Sequence, residues 1–212
     1  MTIEHEHARH NQKKWDQWAN SLDGKGWRYQ FLRRAQLGVV SLLEVKENVH
    51  FLDIGCGTGW AVGQAAQKFG QSGSFFGADL SEKMIEKAKE NFAGRPNIHF
   101  LSANAESIPL ESHFFDIIIC TNSFHHYLHP DKALKEMCRL LKRGGTVYVL
   151  DPTADSWIVT VADKIIRLFE PAHVKIYSSQ EFRDLFEGAG LSYGGSVSVA
   201  PHQTVHIGEK KN

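Results

Sequence analysis

The feature that most restricts how this chain can fold is a change of hydrophobic period that repeats from His50 onward. Short β-branched or aromatic runs, His50 to Asp53, Ser74 to Asp79, Ile98 to Ser102, Phe115 to Cys120 and Thr146 to Asp151, alternate with stretches of helical period. That alternation predicts a parallel sheet covered by helices on both faces. Ser81 is placed to cap a helix carrying Met84, Ile85, Ala88 and Phe92 on one face. Pro130 opens another, with Ala133, Leu134, Met137, Cys138, Leu140 and Leu141 inward. After Asp151 the pattern turns irregular until Ser178-x-x-Glu181, a capping box leading a helix with Phe182, Leu185, Phe186 and Ala189 on one side. Two closing strands follow, near Leu191 to Val199 and Thr204 to Ile207. Ahead of the sheet, Trp27, Phe31, Ala35, Val39, Leu42 and Leu43 recur at helical spacing, and Asn11 to Asn20 reads as a shorter helix. The 212 residues thus divide into a helical cap (1–46), an α/β core (47–151) and a substrate-side segment with the last helix and closing strands (152–212), all in one domain.

Composition narrows the function. A formal net charge of +0 gives no global field to attract a polyanion, so nucleic acid is not expected as a partner. No apolar stretch approaches the roughly 20 residues that span a bilayer, and the N-terminus MTIEHEHARH lacks the apolar region of a secretory signal. The expected address is the cytoplasm. Cys56, Cys120 and Cys138 are odd in number and lack C-x-x-C spacing, so they read as reduced thiols and not as a disulfide framework or a zinc ribbon.

The chemistry begins at Phe51-Leu52-Asp53-Ile54-Gly55-Cys56-Gly57-Thr58-Gly59, an apolar strand running into an acid, three alternate glycines and a helix near Trp60. Glycines there let the backbone turn sharply and approach a ligand closely. A dinucleotide fingerprint needs its third glycine where Trp60 stands, so the register is G-x-G-x-G. A carboxylate at Asp53 would repel a pyrophosphate and attract an ammonium or sulfonium. Asp79, at the end of the second expected strand, is placed to accept the two hydroxyls of a ribose.

Together these residues resemble the class I S-adenosylmethionine-dependent methyltransferases, and the likeness continues through the core. Ala103-Asn104-Ala105-Glu106-Ser107-Ile108-Pro109-Leu110 stands where that family has an acidic-alanine pair and a Leu-Pro turn. Arg139-Leu140-Leu141-Lys142-Arg143-Gly144-Gly145 is similar to its R-x-L-K-P-G-G entry to the fifth strand, with Arg143 in place of the proline. The wording is nearest the branch of ubiquinone and menaquinone biosynthesis methyltransferases. The resemblance implies a Rossmann-like doubly wound sheet of seven strands, mostly parallel, in the order 3-2-1-4-5-7-6. It implies S-adenosyl-L-methionine as cofactor and S-adenosyl-L-homocysteine as product. Carried over residue by residue, Gly55, Cys56 and Gly57 would pass under the methionine moiety, Asp53 would orient that loop, and Asp79 would hold the ribose. Leu80 would lie against the adenine, Asn104 and Ala105 would border its edge, and Thr121 would offer backbone near the amino group. Asn104 replaces the family's usual Asp and accepts from an exocyclic amine without charge assistance.

The acceptor side is read less directly. His125 and His126 follow the fourth strand, where open α/β sheets hold ligands, as a general base or a substrate contact. Trp15, Trp18, Trp27 and Tyr29 could line an apolar chamber over the cofactor or simply bury the cap, and Trp157, His173 and Tyr177 fall in the irregular segment that can fold over the same pocket. No metal ligands are expected: His5, His7 and His10 lie on an unanchored terminus, and Asp151 alone is no acidic cluster. Thr121-Asn122-Ser123-Phe124 is not the tetrapeptide of amino-group methylases acting on nucleic-acid bases. The expected acceptor is small and apolar or aromatic, with protein or RNA methylation, or a catalytically silent cofactor-binding sensor, as the alternatives.

Overall fold

The computed structural model describes residues 12–17, 27–44, 46–170 and 172–211. Its elements run α1 (12–17), α2 (Trp27–Leu42), β1 (His50–Ile54), α3 (Trp60–Phe69), β2 (Ser74–Asp79), α4 (Glu82–Asn91), β3 (Ile98–Ser102), β4 (Phe115–Thr121), a 3₁₀ turn (Phe124–His126), α5 (Pro130–Leu140), β5 (Leu141–Pro152), α6 (Trp157–Phe169), α7 (Ser179–Gly188), β6 (Ser192–Ala200) and β7 (Gln203–Glu209). The seven strands form one sheet in the order β3-β2-β1-β4-β5-β7-β6. Only β7 runs against the others, pairing antiparallel with both β5 and β6.

The central strands β1 and β4 are largely apolar because both of their faces are covered. Along β1, Phe51 packs into one core and Leu52 and Ile54 into the other. On β4, Ile117 and Ile119 join the first core, and Ile118 and Cys120 the second. The first core lies under α2, α3 and α4, through Ala35, Val39, Val62, Ala65 and Ala88; the second lies under α5 and α7, through Leu134, Met137, Phe182 and Phe186. The sheet therefore reverses its winding between β1 and β4, which opens a crevice at the carboxyl ends of those strands.

Two segments differ from the sequence reading. Leu141, expected on the inner face of the Pro130 helix, instead opens β5 opposite Phe115, and the register shifts before Ile117 pairs with Thr146. It is fully buried either way, which is why the apolar pattern does not mark the change of element. The segment after Asp151, expected to be irregular, contains α6, with Ser156 Oγ accepting from Val159 N at 3.4 Å. Its β-branched start and the lack of a single buried stripe hide it from periodicity. Trp157, Ile158, Ile165, Leu168 and Phe169 are all exposed, and the buried members are Val159 and Asp163.

The loop between β3 and β4, which carries Asn104 and Ala105, is held by a polar clamp on α5. Buried Glu136 accepts from Ile108 N at 2.7 Å, and Arg139 donates to both of its oxygens, at 2.7 and 2.8 Å. Arg139 also donates to the carbonyls of Ile108 and Leu110 at 3.0 and 3.1 Å. Its guanidinium holds the Glu136 carboxyl below the usual 4.5. Arg139→Ala is expected to destabilise the protein by about 2 kcal/mol, since it strips charged hydrogen bonds from a buried carboxylate. The depressed acid contributes stability above pH 4.5 and loses it as pH falls, so the gap between variant and parent closes in acid. Urea midpoints at neutral and acid pH check both statements.

Candidate active site

A cavity of about 730 Å³ occupies the crevice. Its floor is the turn from β1 to α3. Gly55 N and Cys56 N donate to the Ala78 carbonyl at 2.8 and 3.1 Å, and Gly57 N donates to Asp79 Oδ2 at 2.8 Å. These amides are the ones a phosphate would need, and β2 already takes them. Two glycines are required on separate grounds. Gly55 has φ +77 and lies so close to Ser123 that an added Cβ would come within 2.6 Å of the Ser123 Cβ. Gly57 has φ +53 and faces open space, with nothing within 4 Å of where a Cβ would stand, so a ligand can rest on bare backbone.

Asp79 lies on the cavity wall with its carboxylate fixed by Gly57 N and, at 2.9 Å, by Ser81 N. Each oxygen keeps a lone pair for a hydroxyl. Burial pushes its carboxyl up, and the amide hydrogen bonds offset only part of that rise. Leu80, Asn104, Ala105, Thr121 and Cys56 share the wall. Asp53 does not. It is fully buried behind the loop, neither oxygen has a hydrogen-bond partner, and burial, with the charge of Asp79, pushes its carboxyl up to about 8. An orphaned acid at that position is relieved by a cation held in front of the loop. The floor and wall thus fit a cationic, ribose-bearing ligand.

The opposite wall carries His125 and His126. His125 is clamped by Asp151, whose oxygens take its backbone N–H at 2.7 Å and its ring Nδ1 at 2.6 Å. His126 Nδ1 reaches the Ala172 carbonyl at 2.7 Å. Burial, and next the neighbouring His125, lowers the His126 pKa to about 2. The Trp15 ring meets His126 edge-on at 5.0 Å and lines the cavity from α1. From α2, Gln36 Nε2 donates to Thr121 Oγ1 at 2.9 Å, and Ser81 Oγ donates to Asp16 of α1 at 2.5 Å. The helices ahead of the sheet therefore roof the crevice.

Tyr177, expected to line the chamber, is not on its wall: its ring is buried against Phe124 and Phe182 at centroid distances of 5.7 and 5.8 Å. Trp157 does not fold over the pocket; it is 77% exposed. Trp18, His5, His7, His10 and the side chains of Trp27 and Tyr29 lie outside the described residues. Gln203 and Asn122, which sequence reasoning missed, stand on the wall, and the buried Oε1 of one and Nδ2 of the other have no partner in the protein. No local spacing marks either, since Gln203 reaches the site from the far end of the chain through β7.

Residues 52–149 match the family model of a methyltransferase domain. The uncharacterized methyltransferase YcgJ of Bacillus subtilis is 31% identical over 169 residues, which are 77% of this chain and 65% of YcgJ. The ubiquinone/menaquinone biosynthesis C-methyltransferase UbiE of Francisella tularensis subsp. holarctica is 34% identical over 110 residues, 50% of this chain and 44% of UbiE. The chain thus spans about two thirds of the one relative and under half of the other. The crystal structure of YcgJ superposes with a TM-score of 0.69 at 28% identity, covering 78% of this chain and 71% of that one. A methyltransferase of Haloferax volcanii, solved in complex with the Trm112 activator, shares the fold at a TM-score of 0.83 and 19% identity, over 95% of this chain and 97% of its own. Residues 52–149 thus carry a methyltransferase domain, and over that domain the chain is similar to YcgJ and UbiE.

Proposed function

We propose that this protein transfers a methyl group from S-adenosyl-L-methionine to a small, largely apolar or aromatic acceptor, leaving S-adenosyl-L-homocysteine. The observation that carries this reading is a single roofed cavity with two unlike walls. One wall is bare glycine backbone beside a fixed ribose-type carboxylate; the other has two oriented histidines under a tryptophan. When bound, the cofactor supplies a methyl group already activated by a positive sulfur.

The protein's own work is then binding, alignment and exclusion of water. Gly55, Cys56 and Gly57 carry the methionine portion, Asp79 takes the ribose, Leu80, Asn104 and Ala105 border the adenine, and Thr121 offers its backbone to the amino group. Asp53 acts from behind the loop as a counter-charge. His125 and His126 are the catalytic contacts to the acceptor, and Trp15 closes apolar surface over it. The orphaned Gln203 Oε1 supports an acceptor that brings a hydrogen-bond donor. A roof formed by α1 and α2 favours a small acceptor over a polymer. We assign the protein to the cytoplasm, where Cys56, Cys120 and Cys138, all free, stay reduced.

Calorimetry of the parent with S-adenosylmethionine tests the cofactor reading, and no binding would overturn it. Asp79→Ala is expected to weaken both cofactor and product by about 2 kcal/mol, roughly thirtyfold, through loss of charge-assisted bonds. Because Asp53 sits near 8 without a ligand, a bound cation lowers it and releases a proton near neutral pH. Binding enthalpies measured in buffers of different ionisation heat should report that proton, and Asp53→Asn should abolish it. His126→Ala is expected to lower turnover at least tenfold with cofactor affinity unchanged; equal turnover would remove His126 from the mechanism.

A further inference from the structure

Behind the acceptor wall, a third imidazole joins the pair. His173, from the loop after α6, brings its ring centroid to 5.4 Å from His125 and 6.3 Å from His126, while those two are 4.0 Å apart. One ring nitrogen from each histidine lies within 4.8 Å of the other two. The loop is tied in place, since Val174 N and Lys175 N both donate to the His125 carbonyl, at 2.9 and 3.2 Å.

The partners of the remaining nitrogens are what make this cluster more than crowding. His125 Nδ1 faces an Asp151 carboxylate oxygen, His126 Nδ1 the Ala172 carbonyl at 2.7 Å, and His173 Nε2 an Asp163 carboxylate oxygen at 2.7 Å. All three partners only accept hydrogen bonds, so each of those nitrogens carries the proton. In a ring oriented this way, the nitrogen that can offer a lone pair to an ion is the other one: Nε2 of His125 and His126, and Nδ1 of His173. Burial favours the neutral ring at both His126 and His173. Rings steered on one nitrogen by a carboxylate or carbonyl, and gathered so that a nitrogen of each lies within 4.8 Å of the others, match the arrangement of metal-ligating histidines. Asp163 adds an independent sign. Helix α6 exposes most of its apolar residues and yet buries this carboxylate, which also accepts from Ile176 N at 2.8 Å and pairs with Arg167.

We propose that His125, His126 and His173 form a three-histidine site for a divalent transition metal of the zinc type, with Asp151, Asp163 and the Ala172 carbonyl orienting the ligands. A tetrahedral ion with bonds of about 2.0–2.1 Å holds its nitrogens roughly 3.4 Å apart, so ring rotations of about an ångström close the set. Three nitrogen ligands leave a fourth position, and two of the three histidines line the cavity. That position takes an acceptor oxygen, nitrogen or sulfur; a coordinated hydroxyl or thiol gives its proton to solvent and stays on the metal as the anion. The ion's role toward an acceptor rests on the methyl-transfer reading, whereas the ligation does not. Sequence spacing conceals the set because His173 comes from a distant loop, which is why no metal is expected from local motifs.

The test is a titration of chelator-treated full-length protein with Zn²⁺ or Co²⁺ alone, without cofactor or acceptor, in the parent, His173→Gln and Asp163→Asn. Comparing chains that share the same N-terminus removes whatever His5, His7 and His10 bind. The parent is expected to take up one more ion per chain than His173→Gln and to give visible Co²⁺ bands of four-coordinate intensity. Asp163→Asn, which keeps all three ligands, is expected to weaken the ion about 10- to 100-fold, and it serves even where His173→Gln fails to fold. Equal uptake and equal spectra in the parent and both variants would overturn the site. Calorimetry with S-adenosylmethionine on the same samples separates the two readings: lost ion uptake with intact cofactor binding defeats only the metal site, and the converse defeats only the methyl-transfer reading.

Discussion

The site depends first on the way the end of β2 holds the turn after β1. The Ala78 carbonyl takes two amides of that turn and the Asp79 carboxylate takes a third. With those donors satisfied internally, the loop offers a ligand bare glycine backbone and no anion nest. The same carboxylate that fixes the loop is the one presented to the cavity, so loop geometry and ligand polarity are set by one side chain. This coupling suits a strand-glycine-helix unit, which elsewhere binds phosphates, to the cationic ligand proposed for it.

The cofactor half was legible because its constraints are local. The strand ends, the glycine register and Asp79 lie within one β-α-β stretch, and both covered faces of the sheet leave β1 and β4 as continuous apolar runs that periodicity cannot miss. The acceptor half was not, because its geometry comes from residues far apart. Gln203 enters from β7 and His173 from beyond α6, and neither carries a spacing signal. Tyr177 was misread for a related reason. An aromatic residue in a segment that crosses the pocket region is equally good at filling the second core, and Phe124 and Phe182 supply the better apolar surroundings.

Helix α6 shows how a polar anchor can replace an apolar stripe. With Trp157, Leu168 and Phe169 exposed, little apolar burial holds the helix down, and Asp163 connects it to His173 and to the Ile176 amide instead. A buried carboxylate with three donors is a directional attachment, whereas apolar packing tolerates sliding. Direction matters here because His173 Nε2 is one of those donors. The ring that meets His125 and His126 is thus oriented by the contact that docks the helix.

The two walls of the cavity also solve the problem of charge in opposite ways. On the cofactor side, burial and the charge of Asp79 disfavour ionisation of Asp53, and Asp53 has no internal partner to offset this. On the acceptor side, three imidazoles crowd together, and desolvation with mutual repulsion disfavours protonation of His126 and His173. Acids held close without a cation and bases held close without a proton are each costly to fold around. Each cluster would be relieved by a positive species: the proposed cationic ligand in front of the glycine loop, and the proposed ion on the opposite wall. The formal net charge of +0 hides this arrangement, since the unfavourable placement of both clusters is a property of where they are buried and not of their sum.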